Sequence, residues 1–184
     1  MSNDSRQQLT IEALEGSDPE IGRWLAALDD TRHLTKDSLQ DLRQEVLDWV
    51  PPQGENSIGT ILYHIAAIEL DWLFADVFQE PEPWPTAVME HFRVAVRDDQ
   101  GHLSMLRGAL LMHHLDRLDL VRARLLTAYR AMPLQEFRRA RSLPQYEVTP
   151  EWVIHHLIQH EAEHRGHIQM LRTWAEQALG GSLN

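Results

Sequence analysis

Apolar residues recur at helical spacing in four long stretches of this chain, and no stretch alternates apolar and polar positions as a half-buried strand would. The pattern predicts an all-α fold. A first helix opens at Asp18-Pro19-Glu20, where Asp18 can cap, proline loses no hydrogen bond and an acid suits the positive helix end; it runs to about Ser38. A short helical turn over Leu42 to Trp49 stops at Pro51-Pro52 and Gly54. Asn56-Ser57 caps a second helix that reaches about Gln79. The run Glu80-Pro81-Glu82-Pro83-Trp84-Pro85 cannot continue it and begins a Trp-containing crossover of about twenty residues, 80–100. That crossover is free to cover a site or to pack a dimer.

The third helix is expected from about Gly101 to Met132 on the stripe Leu103, Leu110, Val121 and Leu125, with Pro133 as its stop. The connector Arg138-Arg139-Ala140-Arg141 reads as solvated or salt-bridged. The last helix starts at Thr149-Pro150-Glu151 and runs to about Ala178, before Gly180-Gly181. Four helices of this length can form a four-helix bundle around one core, with the long crossover between the second and third.

A chain of 184 residues with 43% apolar composition is expected to form a single domain over 1–184, with 1–17 as a loosely packed N-terminal segment. The absence of cysteine excludes thiolate metal sites and a cysteine nucleophile. A net charge of −11 argues against a face that grips nucleic acid. The N-terminus carries no basic segment followed by an apolar core, so the cytoplasm is the expected location. The apolar run from Ile58 to Phe78 is interrupted by His64, Glu69, Asp71 and Asp76, which predicts a buried helix and no membrane span.

Eleven histidines are present, and those at 155, 156, 160, 164 and 167 share the last helix. At about 100° per residue, His160 and His164 project within about 40° of each other, in the sector of Val153, Leu157, Ile168 and Leu171. His64 shares its face with Ile61, Ile65, Ile68 and Trp72. Three inward imidazoles lose hydration without return unless each finds a partner, and one divalent cation supplies all three. His114, on the stripe of Leu110 and Val121, is a reserve ligand, and His156 and His167 flank the inward stripe.

Residues 160–164 spell the H-E-x-x-H string of zinc proteases, but His167 and Met170 stand where the extended motif needs glycine and histidine, and no sheet is readable to hold a substrate strand. A ferritin-like di-metal site needs Glu-x-x-His on two helices, and Glu161-x-x-His164 is a single copy.

Two stretches carry a more specific likeness. Residues 56–73, Asn-Ser-Ile-Gly-Thr-Ile-Leu-Tyr-His-Ile-Ala-Ala-Ile-Glu-Leu-Asp-Trp-Leu, and residues 149–168, ending in His-Glu-Ala-Glu-His-Arg-Gly-His-Ile, resemble the ligand-bearing helices of the DinB-like (YfiT-like) metal-dependent proteins, a family of thiol S-transferases and hydrolases. Trp49-Val50-Pro51-Pro52 is a weaker third match. The resemblance implies a DinB-like four-helix bundle whose metal ligands are His64, His160 and His164; His167 departs from the glutamine common there. It implies one divalent ion, and a low-molecular-weight thiol directed at a small electrophile, or else hydrolysis of a small substrate; imidazole ligands suit several metals, and zinc or nickel is expected ahead of iron or manganese. The alternative is a non-catalytic, stress-associated metal-binding bundle.

Glu69 is a candidate for orienting a ligand imidazole, Arg165 for a substrate carboxylate or a surface salt bridge, and His167 for a polar contact near the site. Glu161 and Glu163 are expected to project off the ligand face as solvated or supporting charges, and Tyr63 and Trp72 to belong to the core. Gly166, costly inside a helix, points to a close helix approach within the bundle or in a homodimer.

Overall fold

Three of the four long helices start at the cap their sequence offers. In the computed structural model, which describes residues 6, 8–52, 54, 56–80 and 84–180, the Asp18 side chain accepts from the Glu20 backbone N–H and opens α1 (Pro19–Asp37). Ser57 accepts from the Thr60 N–H at the start of α3 (Ile58–Asp71), and Thr149 from the Trp152 N–H at the start of α7 (Pro150–Gly180). Each cap satisfies a donor that the first helical turn would otherwise leave unpaired. The short α2 (Gln44–Leu47), α4 (Thr86–Met89) and α6 (Leu134–Phe137) lie in the connections, and α5 (Leu111–Arg130) is the remaining long helix. The chain is mostly helical, as expected.

Three features differ from the sequence reading. The third long helix begins at Leu111 and not near Gly101, because Gly101 and Gly108 take φ of +85° and +75°, outside the helical region, and Leu103 pairs with Arg97 in an isolated bridge. The crossover therefore continues to Leu110. Its Trp84 and Phe92 are buried, with Phe92 5.5 Å from Tyr63 on α3. Pro81–Pro83 lie outside the described residues. The helix after Asp71 widens into a π-helical turn, Trp72–Val77, closed by the Phe78 N–H donating to Leu73 O at 3.0 Å. A two-residue antiparallel ladder, β1 (Arg141–Ser142) with β2 (Glu147–Val148), is too short to leave a periodic signal. The Arg138–Arg141 connector is salt-bridged, Arg138 to Glu20 and Arg139 to Glu136, while Arg141 is buried and donates to Val77 O.

The long helices pack α1 on α7 and α5, and α3 on α5 and α7. Their apolar faces, including Leu25, Leu28, Leu62, Leu118, Leu125, Leu157 and Leu171, share one core. Among the described helices the segment Ile58–Val77 is long and apolar enough to cross a membrane, yet most of it is buried inside the protein. In the N-terminal segment, residues 8–12 are exposed, whereas the Leu14 N–H donates to Gly22 O at 3.1 Å and ties this part to α1.

The core also contains a four-membered ionic cluster, with one member from each long helix. Arg32 (α1) donates to Glu161 (α7) through Nε at 2.7 Å and to Glu69 (α3) through Nη2 at 2.7 Å. Arg122 (α5) donates to Glu69 through Nε at 2.8 Å and to Glu161 through Nη2 at 2.9 Å. Each guanidinium also caps a carbonyl of the opposing helix, Arg32 on Leu118 O and Arg122 on Leu28 O, both at 2.7 Å. All four residues are at most 4% exposed. Two charges of each sign, with their donors and acceptors engaged, are what a low-dielectric interior tolerates.

Candidate metal centre

His64 stands on α3, while His160 and His164 stand on successive turns of the facing α7. Their Nε2 atoms converge. His160 Nε2 lies 3.2 Å from His64 Nε2 and 3.1 Å from His164 Nε2, and one ligand atom from each of the three lies within 4.8 Å of the others. The rings meet edge to face, with centroids 4.5–5.1 Å apart.

Burial sets the charge state. It pushes the His64 imidazolium pKa down to about 4, assisted by His164 and Arg97, and that of His160 down to about 3, assisted by His164 and His64. His164 is lowered too, by burial first and by His167 second. The rings are therefore neutral at neutral pH, the state a metal requires. The Nδ1 atoms of His64 and His164 are buried without a hydrogen-bond partner. Two nitrogens each 2.0–2.1 Å from a tetrahedral zinc ion stand about 3.3 Å apart, close to the spacing found here. The donor set suits a borderline divalent cation and leaves a coordination position open.

The structure places the other candidates elsewhere. Both carboxylate oxygens of Glu69 are held by Arg32 and Arg122. Arg165 points its Nη1 toward Thr31 O on α1 at 3.4 Å. His167 is exposed, its ring centroid 6.0 Å from that of His164. His114 is buried beside Gly59 and Arg117 and is not among the clustered histidines. Tyr63 is in the core, its hydroxyl donating to Val94 O and its ring 4.8 Å from the Arg117 guanidinium. Glu163 is exposed, but Glu161 is 1% exposed and belongs to the ionic cluster. Among the described residues, and apart from the helix's own backbone, no atom lies within 4 Å of a Cβ added at Gly166, so no close helix approach among them explains that glycine.

Sequence reasoning passed over Arg32, Arg122 and Trp152, and it assigned Trp72 to the core, where the structure instead leaves that indole partly open on an aromatic wall beside the histidines. Trp72 is half-buried, 4.8 Å from the His156 ring, and Trp152 stacks on His156 at 5.1 Å with 7° between planes. His156 in turn stands 5.9 Å from His160.

A helical protein with three histidines converging from two helices defines a class of candidate mononuclear metal proteins. Within it, a sequence model described as Mycothiol-S-transferase matches residues 24–177, and the chain belongs to that family. This agrees with the DinB-like resemblance. A crystal structure of a conserved protein from Enterococcus faecalis shares the fold, with a TM-score of 0.63 and 14% identity over 86% of this chain and 95% of that one. No curated protein sequence matches the chain.

Proposed function

We propose that this protein is a metal-dependent S-transferase that delivers the sulfur of mycothiol to a small electrophile, from a DinB-like four-helix bundle in the cytoplasm. One observation carries the reading: three neutral imidazoles whose Nε2 atoms converge, that of His160 3.2 Å from His64 and 3.1 Å from His164, in a chain that belongs to the mycothiol S-transferase family. His64, His160 and His164 would hold one divalent ion, zinc or nickel. Bound at an open position, such an ion lowers the pKa of a coordinating thiol and supplies the nucleophile at neutral pH.

The chain's own residues do the rest. With no cysteine, the protein cannot provide the sulfur, so it must come from the cosubstrate. The ionic cluster fixes the helices that carry the ligands, since Glu69 lies five residues after His64 on the same helix and Glu161 is adjacent to His160. Partial burial, together with the neighbouring imidazoles, keeps the three rings unprotonated and their lone pairs available.

The test uses zinc-loaded protein with mycothiol and 1-chloro-2,4-dinitrobenzene. Sulfur forms a bond to the ring carbon, the carbon–chlorine bond breaks, chloride leaves with its electron pair, and the thiol proton goes to solvent. The expected result is thioether formation, followed by absorbance, above the rate of thiol alone. A rate equal to that background with mycothiol and with other low-molecular-weight thiols would leave a non-catalytic metal-binding protein as the better account.

A further inference from the structure

We infer that the aromatic cleft beside the histidine cluster is the acceptor site and that it takes a neutral, planar aromatic electrophile. The inference rests on the transferase reading and says where the second substrate sits. The cleft has a volume of about 480 Å³ and is lined by Trp72, Tyr146, Glu147, Val148, Thr149 and Trp152. The π-helical turn supplies Trp72, the hairpin supplies Tyr146 to Val148, and the first turn of α7 supplies Trp152.

Two indoles face this space, 5.5 Å apart with 48° between their planes. Trp152 is 47% exposed and Tyr146 is 45% exposed. Aromatic surface held open to water beside a candidate site is surface that a ligand gains by covering. The wall is preorganised, because the Tyr146 hydroxyl donates at 2.6 Å to Asp76, a carboxylate 4% exposed on the π-helical turn.

Continuity with the cluster gives the cleft its role. Trp152, His156 and His160 stand four residues apart on α7, with Trp152 stacked on His156 and His156 5.9 Å from His160. The Trp152 indole is therefore set about two helical turns, roughly 12 Å of helix rise, from His160, with the His156 ring between them, and Trp72 closes part of that gap from the facing element. The volume suits one small planar molecule. A flat ring stacks on the indole faces and gains the full aromatic contact. Glu147 and Asp76 add negative charge and disfavour a carboxylate-bearing ligand.

The unreactive neutral ring 2,4-dinitroaniline tests this by calorimetric titration of the zinc-loaded protein. The expected result is one binding site per chain, weakened about tenfold or more by Trp152→Ala and largely restored by Trp152→Phe. Trp174→Ala, an exposed indole far along the same helix, leaves binding unchanged. Trp152→Ala retains zinc and helicity, and with 1-chloro-2,4-dinitrobenzene and mycothiol it raises KM for the electrophile but not for the thiol. His64→Ala still binds the probe, so the acceptor site is testable where transfer activity fails. Absence of one-to-one probe binding, equal binding by Trp152→Ala, or displacement of the probe by mycothiol alone would overturn the inference.

Discussion

Replacing Glu69 by alanine separates a structural role from a metal-orienting one. Glu69 is 2% exposed and accepts from Arg122 Nε at 2.8 Å, Arg122 Nη2 at 3.0 Å and Arg32 Nη2 at 2.7 Å. Its removal leaves two buried guanidiniums with Glu161 as their one remaining carboxylate in the cluster. Removing one partner of a buried ion pair costs about 3–5 kcal/mol, a large share of a domain stability of about 5–15 kcal/mol. At about 2–4 °C per kcal/mol for a chain of this size, the melting midpoint falls by about 6–20 °C.

Urea unfolding of metal-free protein, followed by circular dichroism at pH 7, measures the loss without ligand linkage. The exposed Glu163→Ala serves as control and stays within about 0.5 kcal/mol of the parent. The pH dependence carries a second check. Burial alone would raise the Glu69 pKa, but Arg122 and Arg32 outweigh it and hold the carboxyl below its ordinary 4.5. A depressed folded-state pKa means the unfolded chain takes up the proton first. The contribution of Glu69 is thus complete above about pH 4.5 and is lost as the pH falls through the folded-state value. The gap between parent and variant narrows in acid. A loss below about 1 kcal/mol at pH 7, or a gap indifferent to acid, would refute the reasoning.

Three further outcomes follow from other parts of the fold. Burial first, and Arg117 second, push the His114 pKa down to about 4, so the unfolded state binds more protons between about 6.5 and 4 and stability falls as the pH drops through that window; the His114 ring resonances should titrate near 4, and a midpoint of 6.5 or higher contradicts its burial. Gly166→Ala, with no atom within 4 Å of the new Cβ, should stabilise the helix by about 0.5–1 kcal/mol, and a loss of stability on thermal melting would point to a second chain covering that face. Gly22→Ala places a Cβ 2.9 Å from Leu14 O and from Ser17 Oγ, so denaturant titration should show a loss of about 1–3 kcal/mol; an unchanged midpoint would mean that the N-terminal segment is not seated on α1.

The long helices were readable because their caps and stripes are local properties. Asp18, Ser57 and Thr149 each announce a start that the backbone takes. The convergence of His64 with His160 and His164 followed from the inward faces of two helices and from the family resemblance. The start of α5 was not readable in the same way, because the stripe through Leu103 and Leu110 continues past two glycines whose positive φ breaks the helix.

The ionic cluster was hidden for a different reason: charge was taken as a sign of solvent. Glu161 projects only about 20° from Ile168 on the helical wheel, and Arg32 and Arg122 each follow Leu28 and Leu118 by four residues, so all three fall on core stripes. The signal lay in position and not in residue type. The aromatic cleft depends on the π-helical turn and on a hairpin of two-residue strands, which bring Trp72 and Tyr146 to Trp152 from separate parts of the chain. No local pattern encodes that meeting.

Zinc titration of the metal-free protein by calorimetry, beside a variant with His64, His160 and His164 replaced by alanine, tests the central claim most directly. The account predicts one tightly bound ion per parent chain, none in the variant, and the same far-ultraviolet dichroism in both. A parent that binds no ion, or a variant that binds zinc as the parent does, would contradict it.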